Sequence, residues 1–158
     1  MYQWLLFLHI ASILGFMLVH GVQATLMWKQ RWEADPERNL ALFAILPDML
    51  LLRILGGAVI GTGLLLTFSQ SLWGRGWIWL SLALFGGLWL AMRRYGSAFY
   101  VLIESTAKRA LEARDTADEP AAAKAFADAR QAWHPIGVTA GSVVVMGLIL
   151  WLMIFKPF

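Results

Sequence analysis

The sequence contains no cysteine, and only 15% of its 158 residues are charged. The lack of cysteine excludes disulfides, thiolate nucleophiles, cysteine-ligated zinc, iron–sulfur clusters and the covalent attachment of a c-type haem. Soluble domains carry about 25% charged residues. The low charge and the 59% hydrophobic content therefore indicate an integral membrane protein. The net charge of +3 does not indicate nucleic-acid binding, because membrane topology explains the basic residues better.

Four charge-poor windows are long enough to cross a hydrocarbon layer of about 30 Å. They cover about residues 4–26, 49–68, 77–94 and 135–155. Residues 95–133 keep a helical pattern but are polar, which predicts a helical hairpin outside the membrane. We therefore predict an all-α fold with a single transmembrane domain, residues 1–158. It is an integral membrane up-down four-helix bundle with a cytoplasmic helical extension between helices 3 and 4.

Shorter signals refine this topology. A short apolar stretch, 40–46, ends at Pro47 and predicts an interfacial or re-entrant helical piece. Asp48 is predicted to cap the second span. Pro120 is predicted near the first position of the return helix of the hairpin. The N-terminal MYQWLL has no positive region, so we expect it to be part of a retained span and not of a signal peptide.

The lysines and arginines orient the four spans. Eleven of the thirteen lie beside or within the first and third connections. These are Lys29, Arg31, Arg38, Arg53, Arg93, Arg94, Lys108, Arg109, Arg114, Lys124 and Arg130. Only Arg75 and Lys156 lie on the other side. Because basic residues are enriched in cytoplasmic connections, both termini are predicted on the non-cytoplasmic side.

Histidines within the spans are the strongest functional signal. Ionisable groups in a membrane span are costly and are functional candidates by default. His20 lies near the cytoplasmic end of span 1, His134 begins span 4 from the same side, and Arg53 begins span 2. Two facing histidines can hold a haem iron, and an arginine can pair with a haem propionate. Alternatively, His20 and His134 are unrelated polar residues that bond to backbone or to interfacial water.

Glycines near these residues have two interpretations. Gly57 lies just beyond Arg53, and Gly137 lies just beyond His134. A flat macrocycle needs helix surfaces without side chains, so both are candidate haem contacts. The spacings Gly57–Gly61 and Gly137–Gly141 also fit ordinary close helix packing in membranes. Pro135 either kinks the helix and aims His134 inward or simply starts the fourth span.

His9 is a separate candidate. It shares a helix face with His20, eleven residues and roughly 16 Å away along the axis. No further histidine is left to face it near the outer surface. His9 is therefore a lone axial ligand, a proton-handling residue, or part of a second site with a soft ligand such as Met153. It could also be hydrogen-bonded inside the bundle without a further role.

Several stretches resemble a group of small bacterial membrane proteins. They are LHIASILGFML, ADPERNLAL, LLRILGGAVIGTGLLL and WGRGWIWLSLAL, within roughly the first hundred residues. The group includes CopD-like copper-resistance domains, uncharacterised predicted integral membrane proteins and HemJ-type protoporphyrinogen oxidases. The Leu-His-Ile around His9 resembles the early-helix histidine that HemJ-type proteins associate with haem b. The resemblance implies a haem or porphyrin role in a bacterial inner membrane, but it does not imply the enzyme activity.

Together these observations predict a haem b-binding inner-membrane protein that acts in electron transfer or in sensing a diatomic gas. Whether it is a haem-dependent oxidoreductase is left open. The alternatives are a copper or small-solute transport or assembly protein, and a non-catalytic scaffold whose hairpin binds a partner. Expected partners are the lipid bilayer, haem, and a redox partner or a second copy. The predicted cofactor-binding residues are His20, His134, Arg53, Gly57 and Gly137, and the predicted metal ligands are His20, His134 and His9.

Overall fold

The structure is a computed structural model that describes residues 1–45, 49–132 and 134–157, without the side chains of residues 49 and 134–136. Within this part of the chain the residues are helical apart from short turns, and no strand occurs. The predicted all-α class is confirmed. The α-helices are α1 (Tyr2–Trp32), α2 (Pro36–Ala41), α3 (Met49–Ser69), α4 (Gly76–Ala91), α5 (Ser97–Glu112), α6 (Glu119–Gln131) and α7 (His134–Phe155).

Four helical stretches are long and apolar enough to cross a membrane, as predicted: Tyr2–Trp32, Leu50–Ser69, Gly76–Glu112 and Gly137–Phe155. The chain is therefore a multi-pass membrane protein by length and composition. The first stretch has 31 residues and the third has 37, which correspond to roughly 46 and 55 Å of helix. Both exceed the hydrocarbon thickness of about 30 Å, so part of each helix must lie outside it. A π-helical turn at Met92–Gly96 joins α4 to α5.

The chain divides into two compact units. The first comprises Met1–Gln23, Pro47–Gly87 and Val144–Phe158, and the second comprises Ala24–Leu46 and Leu88–Val143. In the first unit the buried side chains are mainly apolar, and Phe16 packs on Phe85 with ring centroids 5.5 Å apart. Many other large apolar side chains of this unit are exposed, such as Leu18 and Phe68. Exposed apolar faces of this extent suit contact with lipid tails.

The buried face of α1 has a regular spacing. His9, Phe16, Gln23 and Gln30 are all buried and follow one another at intervals of seven residues. Seven residues are close to two helical turns, so these side chains lie on one stripe. Three of the four are polar. The buried stripe of α1 is thus largely polar, although most of the helix is apolar.

The second unit is built around the α5–α6 hairpin, with α2 against α5. Its core consists of Phe99, Tyr100, Ile103, Ala107, Ala110, Phe126 and Ala129. Asp35 caps α2 by accepting from the Glu37 amide at 3.1 Å, and a 3₁₀ turn at Leu42–Ile45 follows. The short piece predicted before Pro47 is therefore helical as far as residue 45. Pro120 lies in the first turn of α6, as predicted, whereas Asp48 lies outside the described residues.

Asn39 closes the end of α1. Its side chain is completely buried. Its Nδ2 donates to the carbonyl of Gln30 at 2.7 Å and to that of Glu33 at 3.1 Å. The last carbonyls of a helix have no partner within the helix. Asn39 therefore satisfies two acceptors that would otherwise be left at the helix end.

Two arginines tie the end of α1 to the end of α6. Arg31 Nη1 donates to the Ala132 carbonyl at 3.1 Å, and Arg130 Nη1 donates to the Arg31 carbonyl at 3.2 Å. Cationic side chains at helix C-termini both supply hydrogen bonds and oppose the negative end of the helix dipole. These two residues, read from the sequence only as markers of topology, therefore also fasten the second unit together.

Replacing Asn39 by alanine should destabilise the protein by about 1–3 kcal/mol, because two buried carbonyls lose their donor. The free energy of unfolding can be measured by titrating the protein from mild detergent into SDS and following its helicity. Ser105→Ala is a suitable control, since Ser105 is exposed and bonds only to Leu102 of its own helix. Equal stability of the two variants would contradict the capping role of Asn39.

Candidate functional site

A cavity of about 510 Å³ lies within the first unit. Its walls come from α1, α3, α4 and α7 and are mostly aliphatic, aromatic and thioether side chains, including Met146 and Met153. Ligand sites in proteins typically measure about 300–1,000 Å³ and are apolar with a few polar groups. The polar side chains on these walls are His9, Thr67, Ser81, Tyr2, Trp77, Gln70 and Lys156.

His9 is held by Thr62, across from it on α3. His9 Nδ1 lies 2.9 Å from Thr62 Oγ1, and Thr62 Oγ1 lies 2.5 Å from the Ala58 carbonyl. A hydroxyl group has one proton. Since the carbonyl cannot donate, that proton is used on Ala58, and the Thr62 oxygen must accept from His9.

This arrangement determines which ring nitrogen of His9 carries the proton. Nδ1 donates, so in the neutral imidazole Nε2 keeps its lone pair. Metal-ligating histidines are generally oriented by such a hydrogen bond from the other ring nitrogen. His9 is buried and lines the cavity. It is thus prepared to coordinate a metal or to accept a proton there.

Gly63 makes room for the imidazole. A Cβ added at Gly63 would lie 3.0 Å from His9 Cε1 and 3.6 Å from Nδ1. The first of these distances is shorter than ordinary van der Waals contact, so an alanine would push against the ring. The absence of a side chain at Gly63 therefore allows α3 to lie directly against His9.

The other buried hydroxyls of the cavity do not offer protons to a ligand. Thr67 Oγ1 donates to the Gly63 carbonyl at 2.9 Å, and Ser81 Oγ donates to the Trp77 carbonyl at 2.8 Å. Each hydroxyl proton is thus used within its own helix. Around His9 the cavity is poor in hydrogen-bond donors, which favours a largely apolar ligand.

His20 occupies a different environment. It is half-buried, and its ring stacks on Phe16 with centroids 6.2 Å apart and an interplanar angle of 12°. It is not among the residues that line the cavity. The side chains of His134 and Pro135 lie outside the described residues. Shared ligation by His20 and His134 therefore stays a prediction.

The remaining predicted site residues also lie away from the cavity walls. Arg53 is exposed and precedes Thr62 by nine residues, or roughly 14 Å along α3. Four glycines are exposed, and a Cβ added at any of them would meet no described atom within 4 Å: Gly57, Gly61, Gly137 and Gly141. The close packing that their spacing allows is not made within the described part of the chain.

The number of protein side chains that a metal needs differs between a bare metal ion and a haem iron. Among the described residues, no three His, Asp or Glu side chains group as ligands of one metal ion would. A bare copper or zinc site usually takes three or four protein ligands. A haem iron takes its equatorial nitrogens from the macrocycle and needs one or two side chains from the protein. One prepared histidine in an apolar cavity is consistent with the second case.

No protein-family model matches the chain, and neither a curated protein nor a solved structure matches it. The likeness to CopD-like and HemJ-type proteins therefore stays a prediction from the residues quoted above. The functional argument depends on the geometry around His9.

Thr62 and Lys156 were missed as site residues in the sequence. A signal for Thr62 exists, because it is a polar residue between two glycines in the apolar run AVIGTGLLL. Lys156 gave no such signal, since a lysine at the end of a span is common at membrane interfaces. Their roles depend on which helix lies opposite, and periodicity does not contain that information.

Replacing Thr62 by valine should weaken the His9 site. The change keeps the side-chain shape but removes the acceptor of Nδ1, which should cost about 1–2 kcal/mol of stability. The fraction of the imidazole protonated on Nδ1 should also fall, and ¹⁵N NMR of labelled histidine measures it directly. Thr67→Val is the matched control, because Thr67 bonds only to Gly63. An unchanged tautomer in Thr62→Val would contradict the assignment.

Replacing Gly63 by alanine should displace the His9 ring and lower stability by about 1–3 kcal/mol, the usual cost of overpacking. Gly61→Ala introduces the same methyl group two residues away, where it meets no described atom within 4 Å. Thermal unfolding and the His9 ring resonances should respond to Gly63→Ala alone. Equal effects of the two substitutions would show that Gly63 is not needed for the close approach.

Proposed function

We propose that this protein binds haem b in the cavity of the first unit, with His9 as an axial ligand of the iron. The observation that carries the proposal is the hydrogen bond from His9 Nδ1 to Thr62, because it leaves the Nε2 lone pair of a buried imidazole for coordination. The resemblance of Leu-His-Ile to the HemJ type leads to the same histidine.

The surroundings of His9 support the fit. The cavity has the size of a ligand site, its walls are apolar, and Gly63 leaves α3 without a side chain beside the imidazole. The thioethers of Met146 and Met153 line the same cavity and are chemically suited to a second axial position. When bound, haem supplies one-electron chemistry or a coordination position for a diatomic gas.

The role follows from the second axial ligand. Coordination by a thioether favours electron transfer to a redox partner, whereas a vacant or labile position favours gas sensing. His20 with His134 is the competing ligand pair. We prefer His9 because its tautomer and its position on the cavity wall are both suited to coordination.

For the membrane arrangement we infer an up-down four-helix bundle in a bacterial inner membrane, with both termini non-cytoplasmic. The second unit contains most of the basic residues, including Arg93, Arg94 and Arg109, and would be the cytoplasmic one. Tyr2 and Lys156 line one cavity, which agrees with termini on one side. The haem would then lie in the non-cytoplasmic half.

Protein purified in mild detergent and supplied with haem should show a Soret band. His9→Ala should abolish the band or reduce the affinity for haem by about a hundredfold. His20→Ala, on the same helix, is the matched control and should keep the band, as should His134→Ala. A band lost in His20→Ala and His134→Ala but kept in His9→Ala would support the pair predicted from the sequence instead. No band in the unaltered protein would end the haem proposal.

A further inference from the structure

The cavity has one polar end, formed by the ends of three helices. Tyr2 begins α1, Gln70 follows α3, and Lys156 follows α7, and all three line the cavity. His9 lies across from Thr62, and further along α1 Gly15 lies against Leu55 of α3, so α1 and α3 run antiparallel here. The start of α1 and the end of α3 therefore meet at the same end of the cavity.

This end is set apart from the histidine by an apolar stretch. Tyr2 precedes His9 by seven residues, and Gln70 follows Gly63 by seven. On both helices the separation is therefore roughly 10 Å. The walls between these levels include Leu6 and Leu66, and the Thr67 hydroxyl at this height donates within its own helix. A ligand held by His9 therefore passes mainly apolar side chains before it reaches Tyr2, Gln70 and Lys156.

The charge at this end has one sign. Among the described residues that line the cavity, Lys156 is the only charged one, and none is an aspartate or a glutamate. Within the described residues, no carboxylate forms a salt bridge with Lys156. An ammonium group at the end of an apolar cavity forms its strongest hydrogen bonds with an anionic oxygen. The unmatched positive charge therefore favours a ligand with an acidic group at this end.

We propose that Lys156, assisted by Tyr2 and Gln70, binds the carboxylates of the ligand that His9 coordinates. The ligand is thus an apolar macrocycle with carboxylates along one edge, and that edge faces the polar end of the cavity. This inference rests on the proposed function. It gives Lys156 the role that the sequence suggested for Arg53, because Lys156 lines the cavity and Arg53 does not.

A different role for Lys156 makes the opposite prediction. Lysines at span ends commonly extend to the membrane surface and serve only as interfacial anchors. An anchor is indifferent to the charge of a ligand in the cavity. The two roles of Lys156 can therefore be distinguished by comparing ligands with and without free carboxylates, in the unaltered protein and in variants of the lysine.

The test measures how tightly protein in lipid nanodiscs binds two ligands, haem and haem dimethyl ester. The ester has the same macrocycle, but its carboxylates are neutralised. The unaltered protein should bind haem roughly tenfold more tightly than the ester, as expected for one charge-assisted hydrogen bond. Lys156→Gln should remove this preference, and Lys156→Arg should retain it. Arg53→Gln removes a charge elsewhere and should leave the preference intact. The proposal is overturned if Lys156→Gln keeps the preference or if Arg53→Gln abolishes it.

A second pair of ligands separates this inference from the haem proposal. Binding of metal-free protoporphyrin and of its dimethyl ester can be followed by their fluorescence. The ratio of the two affinities measures the preference for carboxylates when no iron is present to be ligated. His9→Ala should keep that preference. If the preference depends on Lys156 but no iron ligation by His9 is seen, the haem proposal fails, and the binding of ligand carboxylates by Lys156 holds without it. If His9 ligates the iron but carboxylates do not improve binding, the haem proposal holds and the role of Lys156 fails. If the protein binds neither haem nor protoporphyrin, both proposals are overturned.

Discussion

The hydrogen bond between His9 and Thr62 is the constraint on which the site depends. An imidazole buried among apolar helices has no water to satisfy its N–H, and an unsatisfied donor there is costly. Thr62 can accept because its own proton is used on the Ala58 carbonyl one turn back. Gly63 lets the two helices approach closely enough for the bond to form. Thr62, the Ala58 carbonyl and Gly63, all on α3, thus decide how the His9 ring is held and which of its nitrogens carries the proton.

The polar stripe of α1 places this histidine. Its inward positions are His9, Phe16, Gln23 and Gln30, while its outward positions are largely apolar and exposed. A membrane helix with this distribution gains by exposing its apolar face to lipid and burying its polar face against other helices. The same tendency that keeps α1 in the membrane therefore directs the histidine inward.

The two units use different physical chemistry. In the first, apolar helices surround a cavity in which the Thr67 and Ser81 hydroxyls donate within their own helices and His9 donates to Thr62. In the second, an amphipathic hairpin packs through alanines and aromatic rings, and helix ends are closed by Asn39, Arg31 and Arg130. The proposed ligand site belongs to the first unit, and the second is held together by its apolar core and by satisfied helix termini.

The sequence by itself determined the helical class, the four apolar stretches and the long third helix. These are local properties, because a backbone in lipid must bond within its own segment and hydrophobic length sets the span. It did not determine which histidine lines a cavity. Periodicity placed His9 and His20 on one face as equals. Their difference arises from Thr62, 53 residues away in sequence, and from Gly63, which lie opposite His9. The same holds for Arg53 and Lys156, since only the packing of α1, α3 and α7 decides which charge reaches the cavity.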